Sequence, residues 1–350
     1  MPKLDVPLLL APTFKPRIWG RRDLSPLFEY ARASGKDEPI GEAWLTDDSS
    51  IFMSGPTAGM TLADAVRKFG PELCGCRWRE PRFPILCKYL FTSDWLSVQV
   101  HPDDDYARVH ESGSTGKCEM WYIVRAGRGA KLILGTKPGA TKAQFCAALA
   151  AGTSGKLLRR LRPRAEEAFF IPPGAVHALG PHLVLFEAEQ NSDITYRLDD
   201  FGRLGLDGKP RELHLDEGLE VSRLDLAPSE LPKITVREPF GARRFVVAGR
   251  HFAVEELTLR TRATFQGTRE RVELLSIVEG EGRMETTGQW MRFRTGETWL
   301  VPPATAHYRL IPRGRTRMLR VYLPDLDKDF RKPLAARGKS GSKISQVTFD

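Results

Sequence analysis

The sequence predicts an all-β protein, antiparallel and built as two similar units, with a few short helices. Turn signals recur every 8 to 15 residues: PTAGM, RAGRGA, TKPGA, IPPGA, LDGKP, VEGEG, TTGQW, RTGE and IPRGR. Short Val/Ile/Leu/Phe/Tyr runs fill the intervals, too short for helices and bounded as strands are. One module also occurs twice, which makes the unit a repeat rather than a single large sheet.

The first copy reads CEMWYIVRAGRGAKLIL from 118 and AFFIPPGAVHALG from 168; the second reads VELLSIVEGEGRMET from 272 and ETWLVPPATAHYRL from 297. Aligning Ile123 with Ile277 sets Glu119 on Glu273 and His177 on His307. Ile123 and His177 are 54 residues apart and Ile277 and His307 are 30 apart, so the first copy carries 24 extra residues. A helix is expected within them, KAQFCAALAA near 142 to 151, with LRRLR after it read as a helical continuation. A second helix is expected at LADAVRKFG, 62 to 70, with Thr61 as its cap. The polar, Pro-containing APSELPK at 227 to 233 reads as a linker. It divides the chain into units of 1–226 and 234–326, and leaves 331–350 as a basic tail expected to be poorly ordered.

At 350 residues the chain exceeds what one core usually serves, which agrees with two domains. No apolar run approaches 18 residues, and the LLLA near the start is too short and too Pro-flanked for a signal peptide. A cytoplasmic protein without membrane contact is expected. Five cysteines (Cys74, Cys76, Cys87, Cys118, Cys146) are odd in number and lack C-x-x-C spacing, which speaks against a disulfide framework or a thiolate zinc site. The net charge of +9 is spread along the chain, apart from LRRLRPR at 158 to 164 and the RKPLAARGKSGSK tail. No nucleic-acid-binding motif accompanies it, so nucleic acid is not an expected partner and a small phosphorylated metabolite is.

The stretch WLSVQVHP at 95 to 102 alternates as a strand does. Ser97, Gln99 and His101 share one face, and Val98 and Val100 share the other. Together with Glu119 and the PPGAVH turn, this row resembles the cupin superfamily, whose barrels carry a Q-x-H strand, a Glu on the next strand and a P-x-G-x-x-H hairpin. Those positions are Gln99 and His101, Glu119, and His177 at the end of PPGAVH. The resemblance implies two jelly-roll barrels, a bicupin, with Gln99, His101, Glu119 and His177 as metal ligands. Two imidazoles, a carboxylate and an amide oxygen suit Zn2+, with iron, cobalt, nickel or manganese compatible on softness alone. The second module keeps Glu273 and His307, but TLRTRATFQGTRER before it has no Q-x-H or H-x-H. One metal per chain is therefore expected, with a metal-free second barrel.

Within cupins, the chain resembles the type I phosphomannose isomerases of compact bacterial form. The resemblance rests on FKPRIWG at 14, GEAW at 41, FPILCKYL at 83, LSVQVHPDDDYA at 96, GKCEMWYIV at 116, IPPGAVHALG at 171 and FEAEQNSDITYRLDDFGR at 186, with REL at 211 also fitting. Leu45, Glu189 and Phe201 depart from the family's usual residues. The resemblance implies interconversion of mannose 6-phosphate and fructose 6-phosphate. A proton moves between C2 and C1 through a cis-enediol, whose oxyanion needs a cation or strong donors beside it. Arg197 matches the catalytic arginine and Glu187 the active-site glutamate, with Asp193 and Glu42 in reserve as the base. Ser97 and Lys117 match the phosphate-holding positions. An isomerase of another phosphorylated aldose, or a non-catalytic sugar-phosphate-binding bicupin, would use the same frame.

Overall fold

The computed structural model describes residues 3–28, 38–76, 78 and 80–350. Four antiparallel sheets frame the chain. In the first half, a six-stranded sheet runs in the order Thr13–Arg21, Ile40–Trp44, Ile85–Phe91, Leu183–Gln190, Glu119–Ala126, Ala168–Ile171. A five-stranded sheet faces it, in the order Tyr196–Asp199, Val98–Val100, His177–Leu179, Leu132–Thr136, Leu158–Leu161. The second half pairs a seven-stranded sheet with a four-stranded one made of Ala263–Gln266, His307–Pro312, Glu281–Thr286 and Gln289–Arg294. None of the four closes on itself among the described residues.

Two-residue alternation explains how one strand serves two cores. In Ile85–Phe91, Ile85, Cys87, Tyr89 and Phe91 turn outward to a core shared with Val246, Val254, Leu274, Leu319 and Val321 of the seven-stranded sheet. Leu90 turns inward, to a core with Trp121, Ile123, Leu132, Leu134, Leu179, Leu183 and Leu185. Lys88 shares the inward parity of Leu90, as Glu119 shares that of Trp121, and Glu187 and Glu189 that of Leu185. The inside of the first sandwich is therefore apolar at one end and ionisable at the other. Leu257, Leu275, Ile277 and Met318 meet Phe265, Met284, Phe293 and Leu310 inside the second sandwich. Its own buried ionisable row, Glu255, Glu273 and Arg320, is paired internally, with Arg320 3.3 Å from Glu255 and donating from Nε to Glu273 at 3.0 Å.

The helix Leu62–Phe69 forms as expected, with Thr61 Oγ1 accepting from the Asp64 N–H. Lys142–Ala150 also forms, closed by a capping box between Thr141 and Gln144. LRRLR is not helical: Leu158–Leu161 is a strand paired with Leu132–Thr136. Leu158 packs among the residues outside the five-stranded sheet and Leu161 against the inner core, opposite faces that an extended chain reaches and a helix does not.

Two further features differ from expectation. Leu8–Leu10 pairs with Thr298–Val301, so the first strand of the chain completes the second half's sheet. The basic tail is folded: Lys332–Ala336 and Gly341–Ser345 are helical, and Phe330, Leu334, Ile344 and Val347 are buried against Phe245, Ala253 and Tyr322. Its Arg337 and Lys343 stay exposed, which is why composition alone reads as a tail. No described helix is long and apolar enough to cross a membrane.

Candidate metal centre and active site

Strand register assembles the site. Gln99 stands opposite His177 on one side and Arg197 on the other. In the facing sheet, Glu187 stands between Lys88 and Trp121, and Glu189 opposite Glu119. The PPGAVH turn is tied to the His101 strand by the Gly174 N–H, which donates to the His101 carbonyl at 2.9 Å. Gly174 has φ +83°, and a β-carbon there would meet the Val221 carbonyl and Arg223, so the turn needs glycine.

His101, Glu119 and His177 converge, all essentially buried. His101 Nε2 lies 3.6 Å from one Glu119 oxygen and His177 Nε2 3.3 Å from the other. Each ring donates Nδ1–H to a backbone carbonyl, His101 to Ile194 at 2.8 Å and His177 to Ala175 at 2.9 Å. That assignment leaves both Nε2 lone pairs aimed at Glu119, the tautomer a metal ligand requires. The Gln99 amide lies 3.2 Å from His177 Nε2 and is placed to offer its oxygen after a flip. His101 Nε2 and Glu119 Oε1 make no hydrogen bond although both are buried. Orphaned acceptors facing one another are costly unless a cation sits among them, so these four residues fit a divalent metal.

Electrostatics point the same way. Burial, and then the Lys117 charge, push His101 down to about 3. Burial also lowers His177. Both rings are neutral at physiological pH, ready to coordinate. Burial alone would raise Glu119, but the Lys117 charge holds it well below the usual carboxylate range.

Beside this cluster opens a cavity of about 570 Å³, lined by Glu42, Ser97, Gln99, Lys117, Glu187, Asp193 and Arg197. Every expected catalytic and phosphate-binding position thus reaches one space. Glu187 Oε1 accepts from Trp121 Nε1 at 2.9 Å, and burial next to Glu119 and Glu189 raises it well above its ordinary value. Asp193 is exposed at the rim. Glu42 is committed to Arg17 at 2.7 Å and to Trp44 Nε1 at 2.9 Å. Arg197 pairs with neither Asp193 nor Asp199. Its Nη1 donates to the Glu212 carbonyl at 2.7 Å, while its buried Nε has no partner. Lys117 Nζ lies 3.4 Å from Glu119 and 2.9 Å from Glu189.

Arg17, Lys88, Trp121 and Arg211 also line the cavity; the sequence assigns none of them a site role, Arg211 figuring only as part of REL and Glu189 only as a departure. Lys88 Nζ lies 2.6 Å from Glu189 and 3.9 Å from Glu187. A lysine in the middle of ILCKYLF, a fully buried strand, was the available signal, since buried lysines require a partner. In the second half, the equivalents diverge. Glu273 is held by Arg320 and by Tyr308 Oη at 2.9 Å, and His307 is exposed.

The fold and site define a mostly β, cupin-bearing protein with a buried His2Glu cluster beside a cation-lined cavity. Residues 8–117 match the family model of the phosphomannose isomerase type I catalytic domain, and 242–323 that of the mannose-6-phosphate isomerase cupin domain. Mannose-6-phosphate isomerase ManA of Bacillus subtilis (strain 168) is 34% identical over 315 residues, spanning 87% of this chain and 95% of its own. The crystal structure of the mannose 6-phosphate isomerase from Bacillus subtilis superimposes with a TM-score of 0.83, at 29% identity, over 90% of this chain and 99% of that one. A zinc-bound mannose 6-phosphate isomerase shares the fold at a TM-score of 0.71 and 17% identity, over 91% and 99% of the two chains. The chain belongs to the type I phosphomannose isomerase family.

Proposed function

We propose that the chain interconverts mannose 6-phosphate and fructose 6-phosphate as a metal-dependent isomerase, with one zinc ion held by Gln99, His101, Glu119 and His177. The observation that carries the metal assignment is the pair of buried, unspent acceptors, His101 Nε2 and Glu119 Oε1, beside neutral imidazoles. When bound, the ion supplies Lewis-acid stabilisation of the enediol oxyanion.

This chain's own residues do the rest. Glu187, fixed by Trp121, moves the proton between C2 and C1; it is buried, facing the cavity, and less committed than Glu42. Arg197 donates to an enediol oxygen from its unpartnered Nε, and its charge does not titrate away. Ser97 and Lys117 hold the phosphate end of the substrate. Leu90, Leu96 and Leu179 limit water on the apolar side of the cavity. We read each facing pair of sheets as one cupin barrel, in units of 1–226 and 234–326 with Leu8–Leu10 of the first completing the sheet of the second, the second without metal, and the protein as cytoplasmic.

The test is a coupled assay with mannose 6-phosphate before chelation, after it, and after zinc is returned. Turnover that disappears with the metal and returns with zinc supports the reading. Turnover indifferent to chelation, or none with this substrate at full metal occupancy, overturns it.

A further inference from the structure

Five cationic side chains line the cavity: Arg17, Lys88, Lys117, Arg197 and Arg211. Three are already matched by carboxylates there. Arg17 is paired with Glu42 at 2.7 Å, Lys88 with Glu189 at 2.6 Å, and Lys117 with Glu189 at 2.9 Å and Glu119 at 3.4 Å. The remaining two belong to the segment after Tyr196. There a single buried carboxylate, Asp200, serves two guanidiniums: it accepts from Arg211 Nε at 2.7 Å and from Arg211 Nη2, and from Arg203 Nη2 at 2.8 Å. Arg197 makes no ion pair with a carboxylate among the described residues. Burial and then the Arg211 charge lower its pKa, with Asp200 and Glu212 opposing them, so the two guanidiniums share one space.

Geometry also fixes where Arg211 sits. Arg203 Nη1 donates to the Trp95 carbonyl, two residues before Ser97, and to Asp94 at 3.2 Å. Asp200, held by Arg203, in turn grips one edge of the Arg211 fork. Arg211 Nη1, at the other edge, makes no hydrogen bond among the described residues and its side chain is 22% exposed. A guanidinium with one edge clamped and the other open to a cavity is a preorganised donor for a phosphate or carboxylate.

We infer that Arg211 is an anion-binding residue of the cavity, joining Ser97 and Lys117 at the phosphate group of the sugar phosphate, and that Asp200 is its positioning residue. The inference rests on the proposed function for the identity of the substrate, and not for the existence of the anion site. Arg211 binds an anion present in both ground and transition states, so its loss acts on KM rather than kcat.

The experiment uses the zinc-loaded full chain. Arg211→Gln should raise KM for mannose 6-phosphate about tenfold or more while kcat stays within about threefold, the size expected for one charge-assisted hydrogen bond. Asp200→Asn should raise KM in the same direction by less, with kcat again preserved. Inorganic phosphate, titrated calorimetrically, should bind Arg211→Gln at least tenfold more weakly than the parent. On the unsubstituted protein, saturating inorganic phosphate should protect Arg211 from phenylglyoxal, read by peptide mass spectrometry, which decides the matter even if the variant fails to fold. Unchanged KM and phosphate affinity in Arg211→Gln, or modification of Arg211 indifferent to phosphate, overturns the inference. If the parent does not turn over mannose 6-phosphate, the functional reading fails, while phosphate binding and protection still judge Arg211.

Discussion

Glu187 and Arg197 differ in what their removal should cost. Glu187→Gln keeps shape and the Trp121 contact but removes the base, so kcat should fall by roughly 10²-fold or more. Exchange of the C2 hydrogen with solvent deuterium should fall in parallel. Near-normal turnover and exchange in that variant, with both abolished in Asp193→Asn or Glu42→Gln, would move the base elsewhere. Arg197→Ala should lower kcat with little change in KM, because an enediol contact is made mainly in the transition state. A rise in KM alone would reassign Arg197 to ground-state binding. Both residues were legible in the sequence because each sits in a run with a strong family resemblance. Lys88 and Arg211 also sit in such runs, FPILCKYL and REL, but their part in the cavity was not legible, because their partners Glu189 and Asp200 become partners only through strand register and loop path.

At the scale of elements, the alternation of LSVQVHP put Ser97, Gln99 and His101 on one face without any knowledge of tertiary structure, and the resemblance of that row, Glu119 and the PPGAVH turn to cupins made the candidate metal site readable. Replacing His101 or His177 with Ala should strip most of the bound metal, measured by elemental analysis, because a four-ligand shell does not survive loss of one ligand. Two ions per chain, or full occupancy in the double variant, would contradict the single-site proposal. His307→Ala should leave metal content and turnover unchanged, as His307 is exposed and Glu273 is already engaged by Arg320. The LRRLR strand and the tail escaped the sequence reading for another reason. Leu158 and Leu161, and Leu334, Ile344 and Val347, are sparse apolar residues among charges, and which of them is buried depends on the surface they meet.

For the whole molecule, two measurements report on the packed charges and the tail. Metal-free protein should lose stability on acidification between about pH 6.5 and about 3. His101 stays neutral in the fold down to about 3, whereas an unfolded imidazole takes a proton near 6.5. The unfolded state binds more protons across that window, so stability falls as pH falls, and Glu119 extends the loss below the ordinary carboxylate range. Protons compete with zinc for the same ligands, so the stabilisation that zinc adds in denaturant melts should shrink as the pH falls; melts of the metal-free protein flat across the window would contradict the buried neutral pair. Phe330→Ala should cost about 3–5 kcal/mol, the usual range for a large aromatic removed from a core, with kcat per folded molecule unchanged. A loss of less than about 1 kcal/mol would mean that the tail contributes little to folding.

The pairing of Leu8–Leu10 with Thr298–Val301 also sets a timetable. A ribosome that releases the amino-terminal strand first must add some 290 further residues before its partner emerges, a wait of roughly 15–60 s at ordinary elongation speeds. Through that interval the outward faces of Tyr89, Tyr122 and Phe186 lack the seven-stranded sheet that later covers them. The nascent first half therefore waits with an apolar face uncovered, and the later-synthesised strands act as the latch that ends its exposure. Residues 1–226 expressed alone should be captured in that unlatched condition, prone to aggregate, and should regain solubility when 234–350 is supplied as a separate chain.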